Sequence, residues 1–177
     1  DEIIVNSDSK EMLDIGKKFN VSTQKREPYF ASNEASNSEF HGHIAETTKG
    51  DTVFLAPVCS PFISSSRHDE IIEYYKSEQF DSLTSTHLIK GHLWLNNEPL
   101  NYDLGNVPNS QDLPDIEMLN YGVSLINREI MLKNNALIGD NPGFINLNAI
   151  ESMDINTLEE FELAEIIFKE GLVKKLF

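Results

Sequence analysis

Short apolar segments alternate with amphipathic segments along the chain, and this alternation predicts a series of strands and helices. Residues 2–5 are apolar enough for a short buried strand. The next segment places Met12 and Phe19 on one face of a helix, and Asp8 and Glu11 stand at the spacing of a capping box. Strands that alternate with helices favour a mostly parallel sheet covered by helices on both faces.

The same alternation continues to the end of the chain. Further strands are predicted at 21–23, 52–58, 82–89, 122–126 and 143–150, and further helices at 38–47, 68–77, 128–134 and from 157 onward. Thr157 and Glu160 have capping-box spacing at the start of the last helix. A polar loop at 25–37 separates the second strand from the second helix, and ordered loops of this length are often functional.

Apolar residues at 92–95 and 100–104 flank the turn-forming residues 96–99 and predict a projecting β-hairpin. Trp94 lies in this hairpin, which makes it a candidate dimer contact. A polar loop follows at 106–116. Together, residues 90–118 are predicted to be an insertion, with dimerisation as its candidate role.

The charge of the chain narrows the classes of ligand. There are 29 acidic and 14 basic side chains, giving a formal net charge of −15. Such a chain repels polyanions, which argues against sequence-independent nucleic-acid binding. Attraction for an anionic small molecule must therefore come from local cations, helix N-termini or bound metal.

Length and composition predict one globular domain outside the membrane. The 177 residues are enough for a single core, and no apolar run approaches the length that crosses a bilayer. Cys59 is the one cysteine of the sequence, so no intrachain disulfide can form and the cytoplasm is the expected compartment.

Five separated segments stand where an α/β framework places its loops. They are IIVNSD at 3–8, the loop 26–37 with its two Ala-Ser pairs, Ser60-Pro61-Phe62, SQDLP at 110–114, and ESMDINT at 151–157 leading into 158–164. In this order and spacing they resemble the CMP-N-acylneuraminate (sialic acid) cytidylyltransferases, the CMP-sugar-acid synthetase family. The resemblance extends over nearly the whole chain.

The resemblance implies a fold and a reaction. The fold is a three-layer α/β/α, Rossmann-like nucleotide-diphospho-sugar transferase fold with a mostly parallel sheet and a projecting hairpin. The reaction is attack by the anomeric hydroxyl of a 2-keto-3-deoxy sugar acid on the α-phosphorus of CTP, with Mg²⁺ assisting and pyrophosphate released. It also implies a homodimer that binds CTP and an acidic sugar, with residues 90–118 as the insertion that serves dimerisation or lies on the sugar side of the site.

The resemblance also implies site residues. In the family, a pair of carboxylates after the last strand binds the metal, and the matching positions here are Asp154, as the catalytic residue and metal ligand, and Asn156. The matching substrate-binding positions are Arg26, Ala35, Ser36 and Asn37 for the cytosine, with Ser60 and Gln111 for the rest of the substrates. Asp154 and Asn156 have an alternative role as caps of the helix that begins near Thr157.

Three positions depart from the family pattern. Pro57 lies where a glutamine is usual, Asn109 or Ser110 where an arginine would grip the sugar carboxylate, and Asn156 where a second carboxylate is usual. No cation is therefore expected at Asn109 or Ser110. The affinity for Mg²⁺ is expected to be weaker, because Asn156 brings no charge. The departures fit an unusual sugar acid, a misalignment by one or two residues, or loss of catalysis.

The resemblance places the family's basic phosphate-binding loop, with its first strand and helix, upstream of Asp1. Gly16, the one glycine before residue 42, is predicted to lie inside a helix. The chain is therefore expected to be an N-terminally incomplete cytidylyltransferase-like domain, spanning 1–177, that binds CTP poorly and turns over little. Two alternatives stay open: a non-catalytic relative that binds nucleotide or a protein partner, and a nucleotidyltransferase for another sugar or base.

Other reactive side chains are less suited to chemistry. No nucleophile elbow surrounds Cys59, so a plain buried thiol is expected. His41 and His43 are two residues apart on a predicted helix and point in different directions, and no zinc-ligand spacing occurs.

Overall fold

A computed structural model describes residues 2–175. Its strands are β1 (Ile4–Ser7), β2 (Ser22–Lys25), β3 (Thr52–Leu55), β4 (Ser82–Ile89), β5 (Trp94–Leu95), β6 (Glu98–Pro99), β7 (Ile116–Asn127) and β8 (Pro142–Asn146). Its helices are α1 (Lys10–Lys18), α2 (Asn37–Thr47), α3 (Ser65–Ser77), α4 (Arg128–Asn134) and α5 (Leu158–Lys169), with 3-10 turns at Pro28–Ala31, Ser110–Asp112 and Leu172–Lys175. The described residues form two compact units, 2–51 with 128–136, and 52–127 with 137–175.

The first unit begins with a β-α-β motif. Strands β1 and β2 pair in parallel, and α1 packs on both of them. Ser9 caps α1 by accepting a hydrogen bond from Met12 N, so the predicted cap at Asp8 is wrong by one residue. Gly16 lets the helix approach the strands, because a Cβ there would lie 3.0 Å from Val5 Cγ2.

Two further helices complete the first unit. Helix α2 packs against α4, and Arg128 Nε donates a hydrogen bond of 2.8 Å to Ala45 O. Helix α2 begins with a full capping box between Ser36 and Glu39. The capping box fixes the start of α2 and, with it, the end of the polar loop that precedes the helix.

The second unit contains a four-stranded sheet in the order β3-β7-β4-β8. Strand β7 is antiparallel to β3 and β4, whereas β4 and β8 are parallel. The α/β fold class is confirmed, and the sheet of this unit is mixed rather than mostly parallel because β7 reverses direction. The core between this sheet and α3 consists of Ile63, Ile71, Leu83, Val123, Leu125 and Leu147.

Strand β7 contains an irregular arch opposite β4. The pairing moves from Thr84 with Ser124 to Thr86 with Leu119, so extra residues of β7 face Ser85. Ser85 Oγ donates to Asn120 Oδ1 at 2.6 Å and accepts from Val123 N at 3.0 Å. These bonds hold the irregular part of β7 in place. Strand β7 therefore begins at Ile116, six residues before the predicted start at 122.

The predicted hairpin is present in the second unit. Strands β5 and β6 pair in antiparallel fashion across Asn96 and Asn97, both of which have positive φ, as a tight hairpin turn requires. Trp94 and Leu95 are more than half exposed. The role of the hairpin as a dimer contact stays a prediction, as does the single-domain organisation.

Within residues 2–175, no helix is long and apolar enough to cross a membrane.

Candidate functional site

The carboxyl ends of three strands share one edge of the sheet in the second unit. Strands β3 and β4 both run antiparallel to β7, and β8 runs parallel to β4. Ligands of open α/β sheets bind outside such an edge. The segment after β3 carries Cys59 and Ser60, and the segment after β8 carries Asp154 and Asn156.

These two segments contact each other. Ile155 N donates a hydrogen bond of 3.0 Å to Cys59 O. This bond places the Asp154 carboxylate beside the Cys59 thiol, next to Ser60. The structure therefore brings together three of the predicted site residues, Ser60, Asp154 and Asn156, at the end of β3.

The Asp154 carboxylate has one engaged oxygen and one orphaned oxygen. Asn156 Nδ2 donates to Asp154 Oδ2 at 2.7 Å. Among the described residues, the buried Asp154 Oδ1 accepts no hydrogen bond of full geometry, although the Cys59 thiol, a weak donor, lies beside the carboxylate. A buried carboxylate oxygen without a partner is costly, and a bound cation is one way to satisfy it.

Neither Asp154 nor Asn156 caps α5 with its side chain. Thr157 is the N-cap, and its hydroxyl accepts from Glu160 N at 3.2 Å while Glu160 Oε2 accepts from Thr157 N at 2.9 Å. Glu160 Oε2 also accepts from Asn156 N at 2.7 Å. The capping box predicted at Thr157 is confirmed, and a capping role does not explain the Asp154 and Asn156 side chains.

The Cys59 thiol is unsuited to nucleophilic chemistry. Burial raises its pKa to about 11, and the closeness of the Asp154 carboxylate adds to the shift. At neutral pH the thiol is therefore protonated, which agrees with the expectation of an unreactive cysteine.

Within residues 2–175, no group of three His, Cys, Asp or Glu side chains is placed to hold a metal.

We expect Asp154→Asn to speed the reaction of Cys59 with a thiol reagent at pH 8. A thiol with a pKa of about 11 is about a hundredfold less ionised there than one at the ordinary 9.0. Removing the negative charge beside the thiol stabilises the thiolate, so its pKa falls and the rate rises. Asp69→Asn, on the exposed face of α3, is the control and should leave the rate unchanged; an unchanged rate in Asp154→Asn would contradict the contact.

Arg26, in the first unit, is held by its own neighbours. Its Nε donates to Asn6 Oδ1 at 2.7 Å, its Nη2 donates to Asn6 O at 3.0 Å, and its guanidinium lies 4.4 Å from the centre of the Phe40 ring. Burial lowers the pKa of Arg26, although nearby Asp8 opposes the shift. The side chain is thus pre-positioned by Asn6 of β1 and by Phe40 of α2.

The other predicted cytosine contacts lie at the start of α2. The Ser36 hydroxyl is the N-cap of this helix, bonding both Glu39 N and the Glu39 carboxylate. Asn37 is exposed at the first helical position, and Ala35 is half-buried before the cap. Ser36 therefore has a structural partner already, and a ligand would meet mainly the backbone here.

Lys90 is a cation that the sequence analysis missed beside the loop carrying Gln111. Its Nζ donates to Gln111 O at 3.2 Å and Leu113 O at 2.9 Å, and it pairs with Asp115 at 2.9 Å. The expectation of no cation at Asn109 or Ser110 stays a prediction, because Lys90 reaches the loop at Gln111 and Leu113. Lys90 lies 20 residues before the loop in sequence, so no local pattern pointed to it.

A cavity of about 360 Å³ lies at the start of α3 and the end of β8. No pattern along the sequence indicated it. Its polar lining includes Arg67, Glu70, Asn146, Asn148 and Glu151. Glu151 is buried, with 4% of its surface exposed. A buried glutamate is uncommon unless it is paired, and the resemblance gave Glu151 only as part of a segment.

Comparisons with known proteins support the fold. No family model matches the sequence, and no curated protein is significantly similar to it. Among solved structures, 4-diphosphocytidyl-2C-methyl-D-erythritol synthase from Anaerococcus prevotii DSM 20548 is similar with a TM-score of 0.69 and 12% identity, over 96% of this chain and 82% of that one. CMP:2-keto-3-deoxy-manno-octonic acid synthetase complexed with CTP is similar with a TM-score of 0.65 and 11% identity, over 97% and 82%.

A third similar structure is the bifunctional IspDF from Campylobacter jejuni, with a TM-score of 0.61 and 14% identity. The match covers 91% of this chain and 41% of that chain, so the present chain spans less than half of the bifunctional protein. At these identities the similarity establishes the α/β fold, which the chain shares with all three proteins.

Proposed function

We propose that the chain is a cytidylyltransferase that transfers CMP from CTP to a 2-keto-3-deoxy sugar acid. The observation that carries this proposal is the orphaned Asp154 Oδ1 at the carboxyl edge of a sheet whose fold recurs in a synthetase complexed with CTP. In the reaction, the anomeric hydroxyl oxygen forms a bond to the α-phosphorus and loses its proton. The bond from the α-phosphorus to the bridging oxygen breaks, and pyrophosphate leaves.

Mg²⁺ fits this proposal as the ion that Asp154 holds. Mg²⁺ is commonly bound through one or two carboxylates, with water and substrate phosphates as the remaining ligands. Asp154 Oδ1 would be one such ligand, and the side-chain carbonyl oxygen of Asn156 would be the second. The ion would neutralise negative charge at the phosphates, which is a main requirement of phosphoryl chemistry. The net charge of −15 makes this requirement greater, because the chain itself repels the phosphates.

The first unit is proposed to bind the cytosine through the loop 26–37. Backbone carbonyls before α2 can accept a hydrogen bond from the exocyclic amine of cytosine. Uracil has a carbonyl oxygen at the same position, and this oxygen cannot donate a hydrogen bond. Arg26 is already fixed on Phe40, so it can meet a ligand without losing further side-chain freedom. Ser60 and Gln111, in the second unit, stay substrate contacts predicted by the resemblance.

A homodimer through the Trp94 hairpin belongs to the same proposal. The hairpin exposes Trp94, Leu95 and Leu100, each by more than half, which is more apolar surface than a short solvated turn needs. A cytoplasmic location agrees with the single cysteine.

A non-catalytic nucleotide-binding role is the second candidate. It is favoured by Asn156, because this side chain brings no charge and uses its amide nitrogen on Asp154 Oδ2. A site with one carboxylate attracts Mg²⁺ less than a site with two. Such a protein would bind a cytidine nucleotide without dependence on the metal.

Calorimetric titration of the chain with CTP, CDP and UTP tests the proposal. We expect CTP to release binding heat that increases when Mg²⁺ is present, and UTP to bind at least about tenfold more weakly, a loss of about 1.4 kcal/mol. Concentrations should reach the millimolar range, since weak binding is expected from the sequence. Equal binding of CTP and UTP, or no nucleotide binding, would contradict the cytidylyl assignment, and CTP binding without metal dependence would favour the second candidate.

A further inference from the structure

Glu151 lies in the middle of the segment that carries Asp154, and its carboxylate is buried. The segment starts after β8, with Leu147 N bonded to Thr86 O at 2.9 Å. It ends where Ile155 N bonds Cys59 O. Glu151 lies between these two bonds. Among the buried residues of the described chain, it is the one with a charged side chain.

The Glu151 carboxylate closes a turn within this segment. Its Oε2 accepts from Asn148 N at 3.1 Å, and Asn148 Oδ1 in return accepts from Glu151 N at 3.0 Å and Ile150 N at 2.9 Å. Ser152 N then donates to Asn148 O at 2.9 Å. The turn is therefore bonded at both ends, and it directs the chain toward Asp154.

Arg67 fastens this turn to α3. Arg67 Nε is buried, lies 3.5 Å from Glu151 Oε1, and has no hydrogen-bond partner among the described residues, so the two groups form an ion pair without a full hydrogen bond. Its Nη2 donates to Asn146 O at 3.1 Å, at the last residue of β8. One guanidinium thus holds both the end of β8 and the turn that follows it.

We propose that Glu151 and Arg67 are positioning residues, which fix the segment 147–155 so that Asp154 stays beside the end of β3. The role of Asp154 in this inference rests on the proposed function, whereas the fastening itself rests on the contacts. Asp154 lies between two fixed points, Glu151 on one side and the bond from Ile155 to Cys59 on the other.

Stability alone is a poor explanation of this pair. Burying the Glu151 carboxylate is costly, its partner Arg67 is still 24% exposed, and apolar side chains of similar volume often stabilise such a site equally well. The second ion pair of Arg67, with the exposed Glu70 at 2.9 Å, is of the surface type that contributes little. A buried carboxylate paired with a half-buried guanidinium at the base of this segment is suited to fixing geometry.

Amide hydrogen exchange of Glu151→Gln, followed by NMR, tests the inference. We expect the Ile155 amide to exchange at least about tenfold faster, because its bond to Cys59 O opens when the turn is released. The Leu83 amide, in the core of the sheet, should change much less. Glu70→Gln is the matched control: it removes the surface partner of the same guanidinium and should leave the Ile155 amide unchanged.

A double variant, Arg67→Met with Glu151→Met, keeps the test decisive if the single variant does not fold. It removes both charges together, so no buried charge is left without a partner. We expect a folded protein with the same selective acceleration at Ile155. An unchanged Ile155 rate, or equal acceleration at Ile155 and Leu83, would overturn the positioning role.

The functional readout is separate from the exchange experiment. In the variants, the part of the CTP binding heat that depends on Mg²⁺ should fall at least about tenfold, and the part that is independent of metal should persist. If the wild-type chain shows no such heat, the proposed function fails while the exchange result still decides the positioning. If the heat is retained in full despite faster exchange at Ile155, the positioning of Asp154 is refuted.

Discussion

Asp154→Ala is expected to abolish the effect of Mg²⁺ on CTP binding and to reduce any CMP transfer at least about a hundredfold. The reason is that Asp154 Oδ1 is a buried carboxylate oxygen without a partner, and the neighbouring Asn156 brings no charge. Calorimetry with and without Mg²⁺ measures the first effect, and pyrophosphate release measures the second. Far-ultraviolet circular dichroism should show that the fold is retained.

Glu73→Ala is the control for this prediction. Glu73 is an exposed acidic residue of α3 whose ion pair with Lys76 lies on the surface. It changes the net charge of the protein by the same amount as Asp154→Ala, so it separates a local ligand from the general field. If the two variants lose the same amount of Mg²⁺-dependent heat, Asp154 is not a metal ligand.

Leu83→Ala is expected to lower the free energy of unfolding by about 3 kcal/mol. Leu83 has no exposed surface and lies in the central strand β4, in the core that α3 covers. Its removal leaves a cavity that the packed neighbours Ile71 and Val123 cannot fill without moving. Urea denaturation followed by circular dichroism measures the change.

Leu88→Ala provides the comparison on the same strand. Leu88 is 39% exposed near the end of β4, so the same truncation should cost less than about 1 kcal/mol. Similar losses for the two variants would mean that the core of the second unit is not centred on β4. A loss below about 1 kcal/mol for Leu83→Ala would lead to the same conclusion.

The elements that were predicted well have strong local signals. The capping box at Thr157 fixes the start of α5, and residues 82–89 and 128–134 form the predicted strand and helix with the predicted bounds. The first part of β7 was missed because residues 116–121 include Glu117 and Asn120 and then bulge opposite Ser85. Such a bulge is held by a bond between strands, which no pattern along one strand reveals.

The end of β8 was predicted too late for a similar reason. Residues 147–150 are apolar enough to continue a strand, but the Asn148 side chain bonds the backbone of Ile150 and Glu151 and turns the chain. Asparagine and glutamate at this spacing occur in many other settings. The partner of Glu151 in this turn is Arg67, which is distant in sequence, so no local pattern indicates the turn.

The candidate site was predicted in part. Asp154 and Asn156 came from the resemblance, and the structure adds that one Asp154 oxygen has no partner while Thr157 caps the helix. Lys90 and Arg67 were not predicted, because each acts on a segment far away in the chain. Charge patterns along a sequence do not indicate which distant backbone carbonyl a lysine will reach.

Crystallographic localisation of Mn²⁺ in crystals grown with CTP tests the central claim most directly, because the anomalous signal of Mn²⁺ identifies the ion and its ligands. We expect a peak bonded to Asp154 Oδ1 at about 2.1 Å, with CTP phosphate oxygens among the other ligands. A bound nucleotide whose metal lies elsewhere, with Asp154 Oδ1 still free of any ligand, would contradict the proposed site.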